Sequence, residues 1–505
     1  MLDSRWLHAF LIAAAFLGAV VYLGQAAYAG YLGFPLDDAW IHQTYARNLA
    51  RWGQLAYVPG QLSAGSTAPL WTMVLSIGYL LRVDGRLWAY LAGATCLVLT
   101  ASAVYRLARL LWPDRLWMAF SAAVFCALEW HLAWAAFSGM ETLLFTCLSL
   151  LLVEQALMGG RPFWIGLLGA LLVLTRPEGV VLLSLVAVIT WLPGEGHSRR
   201  SLADIAALLA GFTALVVPYL TYNVIVSGTL FPNTFYAKQS EYRVLLTGLP
   251  LWMRLWRMIR PTLVGAQVLL LPGFIYAACL VVRAAITRRR DLALRELLLP
   301  ILPLIWWAGL PVIYALRLPA DYQHGRYVIP VIPVFVLYGV SGMAEILRPL
   351  SSRPVVRVAS QVFLGATVIL LLAFVALGGG AYARDVNFIE CEMVDVARWL
   401  TANTPPDALV ATHDIGAIGY FSERPLLDMA GLITPEVIPF IRDESLLLAF
   451  VQERGAEYLV TFPSWYPRMV QDPSLTPAYC TECPATVDMD HDNMVIYRLH
   501  PPDQR

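Results

Sequence analysis

Two adjacent carboxylates, Asp37 and Asp38, follow a long apolar segment and precede a stretch that mixes polar and apolar residues. One aspartate at such a place can cap a helix, because its carboxylate accepts hydrogen bonds from the first backbone N–H groups and complements the helix dipole. One carboxylate is enough for capping, so the other is available as a general base or a metal ligand. The pattern leaves open which aspartate has which role.

Glu141 is a third candidate, because it follows Gly139 and Met140 where the chain enters another apolar segment. It can begin a helix, as acidic residues often do, or it can be a second acid in the same site. Two carboxylates together could polarise an acceptor hydroxyl and stabilise a positively charged sugar carbon.

Three basic residues, Arg176, Lys238 and Arg326, are expected near the outer membrane face, although basic residues are normally biased to the cytoplasmic side. Each could pair with a local carboxylate, as Arg176 could with Glu178. Alternatively, they clamp a lipid phosphate at membrane depth, for which arginine offers bidentate bonds and lysine a point charge. We predict phosphate binding for Lys238 and Arg326, and both interpretations stay open for Arg176.

His42 and His324 lie near these charges in the sequence and could bind a metal, although a single histidine is more often structural. If a divalent cation such as Mg²⁺ or Mn²⁺ is used, the candidate ligands are Asp37, Asp38 and His42.

The elements that must position these residues are membrane helices. Of the 505 residues, 59% are hydrophobic and only 14% are charged, with a mean hydropathy of +0.63. Soluble domains are about 25% charged, so the composition indicates a polytopic membrane protein. The net charge of zero gives no basic field that would indicate a nucleic-acid partner.

Eleven apolar segments are predicted to be transmembrane helices: 7–32, 87–111, 116–137, 143–158, 163–174, 180–192, 205–226, 263–282, 297–316, 327–346 and 358–377. The first is predicted to be a retained helix rather than a cleaved signal peptide. Segments 163–174 and 180–192 are short, and half-buried helices around a polar turn are an alternative for them.

Basic clusters predict the orientation. The clusters are Arg106, Arg109 and Arg115; Arg199 and Arg200; Arg288, Arg289, Arg290 and Arg295; and Arg348, Arg353 and Arg357. All four fall on the cytoplasmic side only if the apolar stretch 68–81 does not span. The prediction is an inner-membrane protein with a cytoplasmic N-terminus and five polar segments, 37–69, 138–142, 175–179, 231–238 and 321–327, on one outer face. Polar residues at membrane depth are costly and usually functional, so a site is expected there.

Two domains are predicted: a membrane domain at 1–379, whose first outer loop (33–86) carries juxtamembrane helices, and an extracytoplasmic α/β domain at 380–505. The helix that begins near Asp37 is predicted to lie at the membrane interface. In the second domain we expect helices at 394–400 and 444–453 and strands at 408–412, 458–462 and 494–499. The Gly416–Gly419 spacing is a weak match to a nucleotide-binding turn. Cys391 could form a disulfide with Cys480 or Cys483 in this compartment.

Several motifs resemble, in the same order, those of membrane glycosyltransferases of the C-type (GT-C) fold. They are Asp37-Asp38-Ala39-Trp40-Ile41, Ser66-Thr67-Ala68-Pro69-Leu70-Trp71, Gly139-Met140-Glu141-Thr142, Thr175-Arg176-Pro177-Glu178-Gly179 and Pro232-Asn233-Thr234 with Ala237-Lys238. The resemblance covers most of the chain. It is strongest to the terminal arabinofuranosyltransferases of mycobacterial cell walls and looser to protein O-mannosyltransferases and lipid A aminoarabinose transferases.

The resemblance implies an inverting transfer of a sugar from a polyprenyl-phosphate donor to a hydroxyl of a cell-envelope glycan, lipid or protein. Asp37 or Asp38 would be the general base, Glu141 a second catalytic acid, and Lys238, Arg326 and Arg176 the phosphate ligands. The substrate-binding residues would be Arg47, Tyr45, Asn233, Tyr236 and His324. It leaves the sugar and the metal requirement open.

Two other functions remain possible from the sequence. A transporter or flippase of lipid-linked sugars would suit the many helices, but its ionisable residues would be expected near the middle of the membrane. A non-catalytic scaffold would not need Asp37, Asp38 or the outward basic residues. No GxSxG, Walker A, HExxH or paired CxxC pattern is present, which argues against the common soluble hydrolases, ATPases and metalloproteases.

Overall fold

The long apolar segments form helices, because in lipid every backbone N–H and C=O group must find its partner within the segment. The computed structural model describes residues 4–194, 201–288, 293–347, 354–488 and 492–500. Predicted basic residues Arg199, Arg200, Arg289, Arg290, Arg348 and Arg353 lie outside these described residues.

The helices of the membrane part are α1 (Ser4–Tyr28), α2 (Asp37–Trp52), α3 (Pro69–Leu80), α4 (Gly85–Leu111), α5 (Leu116–Leu128), α6 (Trp130–Phe137), α7 (Thr142–Leu157), α8 (Pro162–Val173), α9 (Gly179–Trp191), α10 (Leu202–Ser227), α11 (Asn233–Glu241), α12 (Arg243–Gly248), α13 (Leu251–Ile259), α14 (Leu271–Arg288), α15 (Leu294–Leu298), α16 (Leu302–Arg317), α17 (Tyr322–Gly325), α18 (Ile332–Leu347) and α19 (Pro354–Phe388). Short 3₁₀ turns at Arg260–Leu263, Ala266–Leu270, Leu299–Ile301 and Ile329–Val331 extend some of them.

Within the described residues, seven helical stretches are long and apolar enough to cross a membrane, or eight if α5 and α6, bent by 51° at Glu129, form one broken span. All eleven predicted segments contain helix, which confirms the polytopic helical fold. Helices α7, α8 and α9 are shorter, with 16, 12 and 13 residues. Helix α3, in the stretch predicted not to span, has only 12 residues.

Helix α2 is covered by the C-terminal domain, and its location at the membrane interface stays a prediction. It begins at Asp37 and ends where Gly53 adopts a left-handed conformation, and most of its side chains are buried. One reason is that Trp40 packs against Tyr420 and Phe421 of the C-terminal domain, with ring centroids 4.9 and 4.6 Å apart. The predicted interfacial helix is therefore an interdomain element.

The C-terminal domain continues directly from the membrane part. Helix α19 runs without a break through Gly378, Gly379 and Gly380 and passes through a π turn, Ile389–Val394, into α20 (Asp395–Asn403). The change in composition after Gly378 therefore does not coincide with a break in secondary structure.

The domain contains a five-stranded mixed sheet. Its strands are β1 (Val410–Thr412), β2 (Leu426–Asp428), β3 (Tyr458–Thr461), β4 (Leu475–Cys480) and β5 (Val495–Leu499), and its remaining helices are α21 (Gly416–Ser422), α22 (Glu444–Glu453) and α23 (Pro484–Asp488), with 3₁₀ turns at Pro435–Phe440, Pro463–Trp465 and Met469–Gln471. The strand order is β2-β1-β3-β5-β4; β1 is parallel to β2 and β3, and β5 is antiparallel to β3 and β4. The predicted strands are present, and β2 and β4 are additional.

A disulfide joins Cys391 to Cys483 and so resolves the pairing that the sequence left open.

Candidate active site

A pocket that opens to the surface lies between the ends of several helices of the membrane part and the C-terminal domain. It is lined by Asp38, Ile41, His42, Gly65, Ser66, Thr67, Met140, Glu141, Arg176, Pro177, Glu178, Thr234, Phe235, Lys238, Gln239, Ile313, Tyr314, Arg317, Leu318, Arg326, Tyr327 and Leu432. Six of the sequence-predicted residues thus meet in one cavity: Asp38, His42, Glu141, Arg176, Lys238 and Arg326.

Asp38 is held by two cations on one oxygen. Its Oδ2 accepts a hydrogen bond from Arg326 Nη2 at 2.6 Å and from Lys238 Nζ at 3.4 Å. Burial would raise the pKa of Asp38, but the attraction of Lys238 and Arg326 outweighs it and holds the pKa well below its usual range. The Asp38 carboxylate correspondingly raises the pKa of Lys238, against the effect of burial. This is a tightly coupled triad with a fixed carboxylate.

Arg326 has side-chain donors that make no hydrogen bond to the described residues. Its side chain is 3% exposed, yet Nε and Nη1 have no hydrogen-bond partner among the residues that the structure describes. Nη2 also donates to Tyr327 Oη at 3.0 Å. Buried guanidinium donors that lack a partner are costly, so Arg326 is well suited to bind an anion entering the pocket.

A second charged group lies on the Glu141 side of the pocket. Arg176 Nε donates to Glu141 Oε1 at 2.7 Å, and Arg176 Nη2 donates to Thr142 Oγ1 at 3.1 Å. His42 Nε2 lies 3.4 Å from Glu141 Oε2. Burial would raise the pKa of Glu141, but Arg176 and then His42 hold it well below its usual range. Arg176 thus pairs with Glu141 rather than with Glu178. Its Nη1 is buried without a hydrogen-bond partner among the described residues, so phosphate binding by Arg176 stays a prediction.

Asp37 faces away from the pocket lining and binds the C-terminal domain. Its Oδ2 and Oδ1 accept hydrogen bonds from the backbone N–H groups of Gly416 and Ala417, both at 2.7 Å. Burial, and then repulsion from Asp414, raises the pKa of Asp37 to about 8. The Gly416–Gly419 turn therefore presents its anion-binding N–H groups to a carboxylate of the same chain, the role that a nucleotide phosphate would have in the motif.

The close approach at this contact requires glycine. A Cβ at position 416 would overlap the carbonyl oxygen and the carboxylate of Asp37. The adjacent Tyr57 hydroxyl donates to the carbonyl of Ile415 and strengthens the same interdomain contact.

His324 lies beside the pocket and is not part of its lining. Its Nε2 is 2.8 Å from Asp385 Oδ2, and its ring meets the rings of Trp130 and Trp134 edge-on at 5.3 and 5.2 Å. The residue occupies a left-handed backbone conformation together with Gln323 and Gly325.

The other predicted substrate-binding residues lie outside the pocket lining and make structural contacts. The Tyr45 hydroxyl bonds Ser63 at 2.7 Å, and Arg47 pairs with Glu423 at 3.0 Å and lies over the Tyr420 ring. The Asn233 amide donates to the carbonyl of Leu432 at 3.3 Å, and Tyr236 packs edge-on against Phe235. No comparison tests substrate binding by these residues, so it stays a prediction.

Leu432 is a lining residue that the sequence did not indicate. It belongs to the C-terminal domain, in the loop after β2. Asp428 fixes this loop because its carboxylate accepts hydrogen bonds from the backbone N–H groups of Ala430 and Ile433 at 2.8 and 2.7 Å. In the sequence, only Asp428 could have indicated an ordered loop here, since aspartate side chains often bond the backbone of a turn.

The lining residues do not fit a divalent cation. Asp38 and Glu141 are each paired with an arginine, and Asp37 binds two backbone N–H groups. A dication at Asp38 would stand beside Arg326 and Lys238, which repel it. Over the described ranges, no three His, Cys, Asp or Glu side chains are grouped to hold a metal.

Comparisons with known proteins agree with this architecture. ArnT from Cupriavidus metallidurans, bound to undecaprenyl phosphate, is similar with a TM-score of 0.55 and 15% identity, over 97% of this chain and 98% of that chain. The archaeal oligosaccharyltransferase AglB from Archaeoglobus fulgidus, in complex with an inhibitory peptide and a dolichol-phosphate, is similar with a TM-score of 0.55 and 13% identity, over 91% of this chain and 69% of that chain. The chain therefore has the GT-C fold of membrane glycosyltransferases.

Sequence comparisons add one match. Residues 384–497 match a family model described as a domain of unknown function (DUF8728). No curated protein sequence matches the chain. The family model thus covers the C-terminal domain, and the GT-C fold describes the chain as a whole.

Proposed function

We propose that this protein transfers a sugar from a polyprenyl-phosphate donor to an acceptor hydroxyl at the outer face of the cell membrane. One observation carries the proposal: Asp38 shares the pocket with Arg326 and Lys238, and Arg326 has buried donors without partners. A candidate base and a candidate phosphate site are thus in direct contact. The GT-C fold supports the same class of chemistry.

In the proposed reaction, Asp38 removes the proton of the acceptor hydroxyl as its oxygen attacks the anomeric carbon. The bond between that carbon and the phosphate oxygen breaks, and polyprenyl phosphate leaves with the electron pair. Arg326 and Lys238 stabilise the charge that develops on the leaving phosphate. Attack from the face opposite the phosphate inverts the anomeric centre.

The contacts of Asp38 suggest that donor binding prepares the base. Without a donor, Arg326 and Lys238 lower the pKa of Asp38 and make it a weak base. A donor phosphate would occupy the open Nε and Nη1 donors of Arg326 and place a negative charge near Asp38. Like charges raise a carboxylate pKa, so Asp38 becomes a stronger base only when the donor is present. Donor binding would thus precede deprotonation of the acceptor.

Orientation is part of the proposal. The Cys391–Cys483 disulfide supports an oxidising compartment for the C-terminal domain, and the predicted basic clusters support a cytoplasmic N-terminus. ArnT and AglB were solved with undecaprenyl phosphate and dolichol-phosphate, and we extend that donor class, but neither sugar nor acceptor, to this chain.

A transfer assay on the purified protein tests the proposal. Wild type and Asp38→Asn are incubated in detergent with a panel of polyprenyl-phosphate sugars and extracted cell-envelope acceptors, with and without EDTA, and released polyprenyl phosphate is measured. We expect turnover of one donor by the wild type, with or without EDTA, and none by Asp38→Asn. Absence of turnover and of polyprenyl-phosphate binding by folded wild type would overturn the proposal, and donor flipping in proteoliposomes without turnover would favour a flippase.

A further inference from the structure

The backbone immediately before Arg326 is in a rare conformation. Gln323, His324 and Gly325 have φ angles of 55°, 58° and 69°, so three successive residues are left-handed. The left-handed region is unfavourable for residues with a Cβ, and runs of it are rarer than single residues. Surrounding contacts must therefore hold this turn in place.

His324 makes the contacts that can hold it. Its Nε2 lies 2.8 Å from Asp385 Oδ2 in α19, and Trp134 Nε1 donates to the same oxygen at 2.9 Å. The rings of Trp130 and Trp134 enclose the imidazole edge-on. The side chain thus joins the turn to α6 and α19.

The other side of the turn is also fixed. Arg260 pairs with Asp321 at 2.9 Å. A Cβ at Gly325 would lie 2.5 Å from side-chain carbons of Pro261, so the turn passes close to that residue. With both sides fixed, the direction in which Arg326 leaves the turn is determined.

We propose that His324, through its bond to Asp385, is a positioning residue that aims Arg326 at the donor phosphate. This inference rests on the proposed function, in which Arg326 binds that phosphate. His324 is not part of the pocket lining, so it acts through the backbone of the turn. Losing the bond lets the turn relax and moves the Arg326 guanidinium, which weakens phosphate binding.

The test measures binding of undecaprenyl phosphate, which needs no turnover, by titration calorimetry in detergent. His324→Phe keeps a ring between the two tryptophans but cannot bond Asp385, whereas the side-chain amide of His324→Gln can donate to it. We expect His324→Phe to weaken binding about tenfold and His324→Gln to restore most of the affinity. His500→Gln, a change in the C-terminal domain outside the pocket lining, is the matched control and should bind as the wild type does.

A double-mutant cycle separates positioning from a general effect on folding. In an Arg326→Met background, His324→Phe should cause no further loss of affinity. Equal losses in both backgrounds, or wild-type affinity of His324→Phe, would overturn the inference. If His324→Phe does not fold, Asp385→Ala, which has no side-chain acceptor for His324, replaces it in the same cycle. Failure of folded wild type to bind undecaprenyl phosphate would overturn this inference, and if no donor is turned over either, it would overturn the proposed function as well.

Discussion

Arg326 reaches Asp38 across 2.6 Å, although the two residues are 288 positions apart in the chain. Lys238 meets the same carboxylate oxygen from a third segment. A carboxylate held by two cations is a poor proton acceptor until an anion draws on those cations. Asp37 instead binds backbone N–H groups of the C-terminal domain, so variants of Asp37 and Asp38 should have different effects.

Asp38→Asn should lower kcat at least 100-fold, because general bases contribute about 10²- to 10⁴-fold to rates. Its affinity for polyprenyl phosphate should stay the same or increase, since Arg326 and Lys238 lose a competing carboxylate. Turnover and lipid binding measured on one preparation check both effects. A kcat close to that of the wild type would exclude Asp38 as the base.

Asp37→Asn should weaken the contact between the domains while kcat falls much less than in Asp38→Asn. An asparagine has only one side-chain oxygen for the two N–H groups, and a buried N–H group left without a partner costs about 1–3 kcal/mol. Gly416→Ala should have the same effect, because its Cβ overlaps Asp37. Melting temperature and limited proteolysis measure the effect.

The matched control for that prediction is Gly309→Ala, where a Cβ would meet nothing within 4 Å. It should leave both the melting temperature and the proteolytic pattern unchanged or improved. If Asp37→Asn resembles this control instead of Gly416→Ala, the interdomain role of Asp37 is wrong.

Arg176→Met should destabilise the protein strongly, because Glu141 would remain buried without its partner. Breaking a buried ion pair costs about 3–5 kcal/mol. The double variant Glu141→Gln, Arg176→Met should be more stable than Arg176→Met alone. Thermal unfolding of the wild type, Glu141→Gln, Arg176→Met and the double variant gives the coupling, and simple additivity would contradict the pairing at 2.7 Å.

The pH dependence of stability should report the contact between His413 and Glu241, 3.7 Å apart. Burial alone would lower the pKa of His413, but Tyr466, and then Asp414 and Glu241, raise it well above 6.5. Burial would raise the pKa of Glu241, but His413 lowers it below 4.5.

The histidine contribution is therefore fully present below pH 6.5 and is lost as pH rises through the raised pKa. The glutamate contribution is present above pH 4.5 and is lost as pH falls through the lowered pKa. We expect the melting temperature to fall on the alkaline side of neutrality in the wild type and to fall less in His413→Gln. Parallel curves for the two proteins would contradict this account.

The pH dependence of turnover should differ between kcat/KM for the donor and kcat. The pH dependence of kcat/KM reports the pKa values of the enzyme without donor, and that of kcat reports the pKa values of the enzyme–donor complex. Since the pKa of Asp38 lies below 3.8 without donor, kcat/KM should show no loss from Asp38 above about pH 4. On the acid side, kcat should fall at a higher pH than kcat/KM does. If both fall at the same pH, donor binding does not raise the pKa of Asp38.

Sequence patterns predicted the helical segments well, because transmembrane helices are specified by local composition and length. They also predicted that Asp38, Glu141, Lys238 and Arg326 meet, because charge clusters placed their segments on one face. They could not separate Asp37 from Asp38. Successive helix residues point about 100° apart, and which direction faces the pocket depends on the C-terminal domain that covers α2.

The same limitation explains why the sequence did not indicate the contacts of Tyr45, Arg47 and Asn233. Each lies in a segment that contributes to the pocket, yet its side chain is bonded to Ser63, Glu423 or Leu432. These partnerships join segments far apart in the chain, so neither periodicity nor spacing indicates them.

Leu432 gives the C-terminal domain a share in the wall of the pocket. The pocket is therefore formed by both domains, and the membrane helices alone do not complete its wall. A chimera that kept residues 1–379 and took the remainder from a related chain would inherit a different wall beside Asn233. Recombination of such domains during evolution would thus reshape the cavity and the surface of the C-terminal domain in a single event.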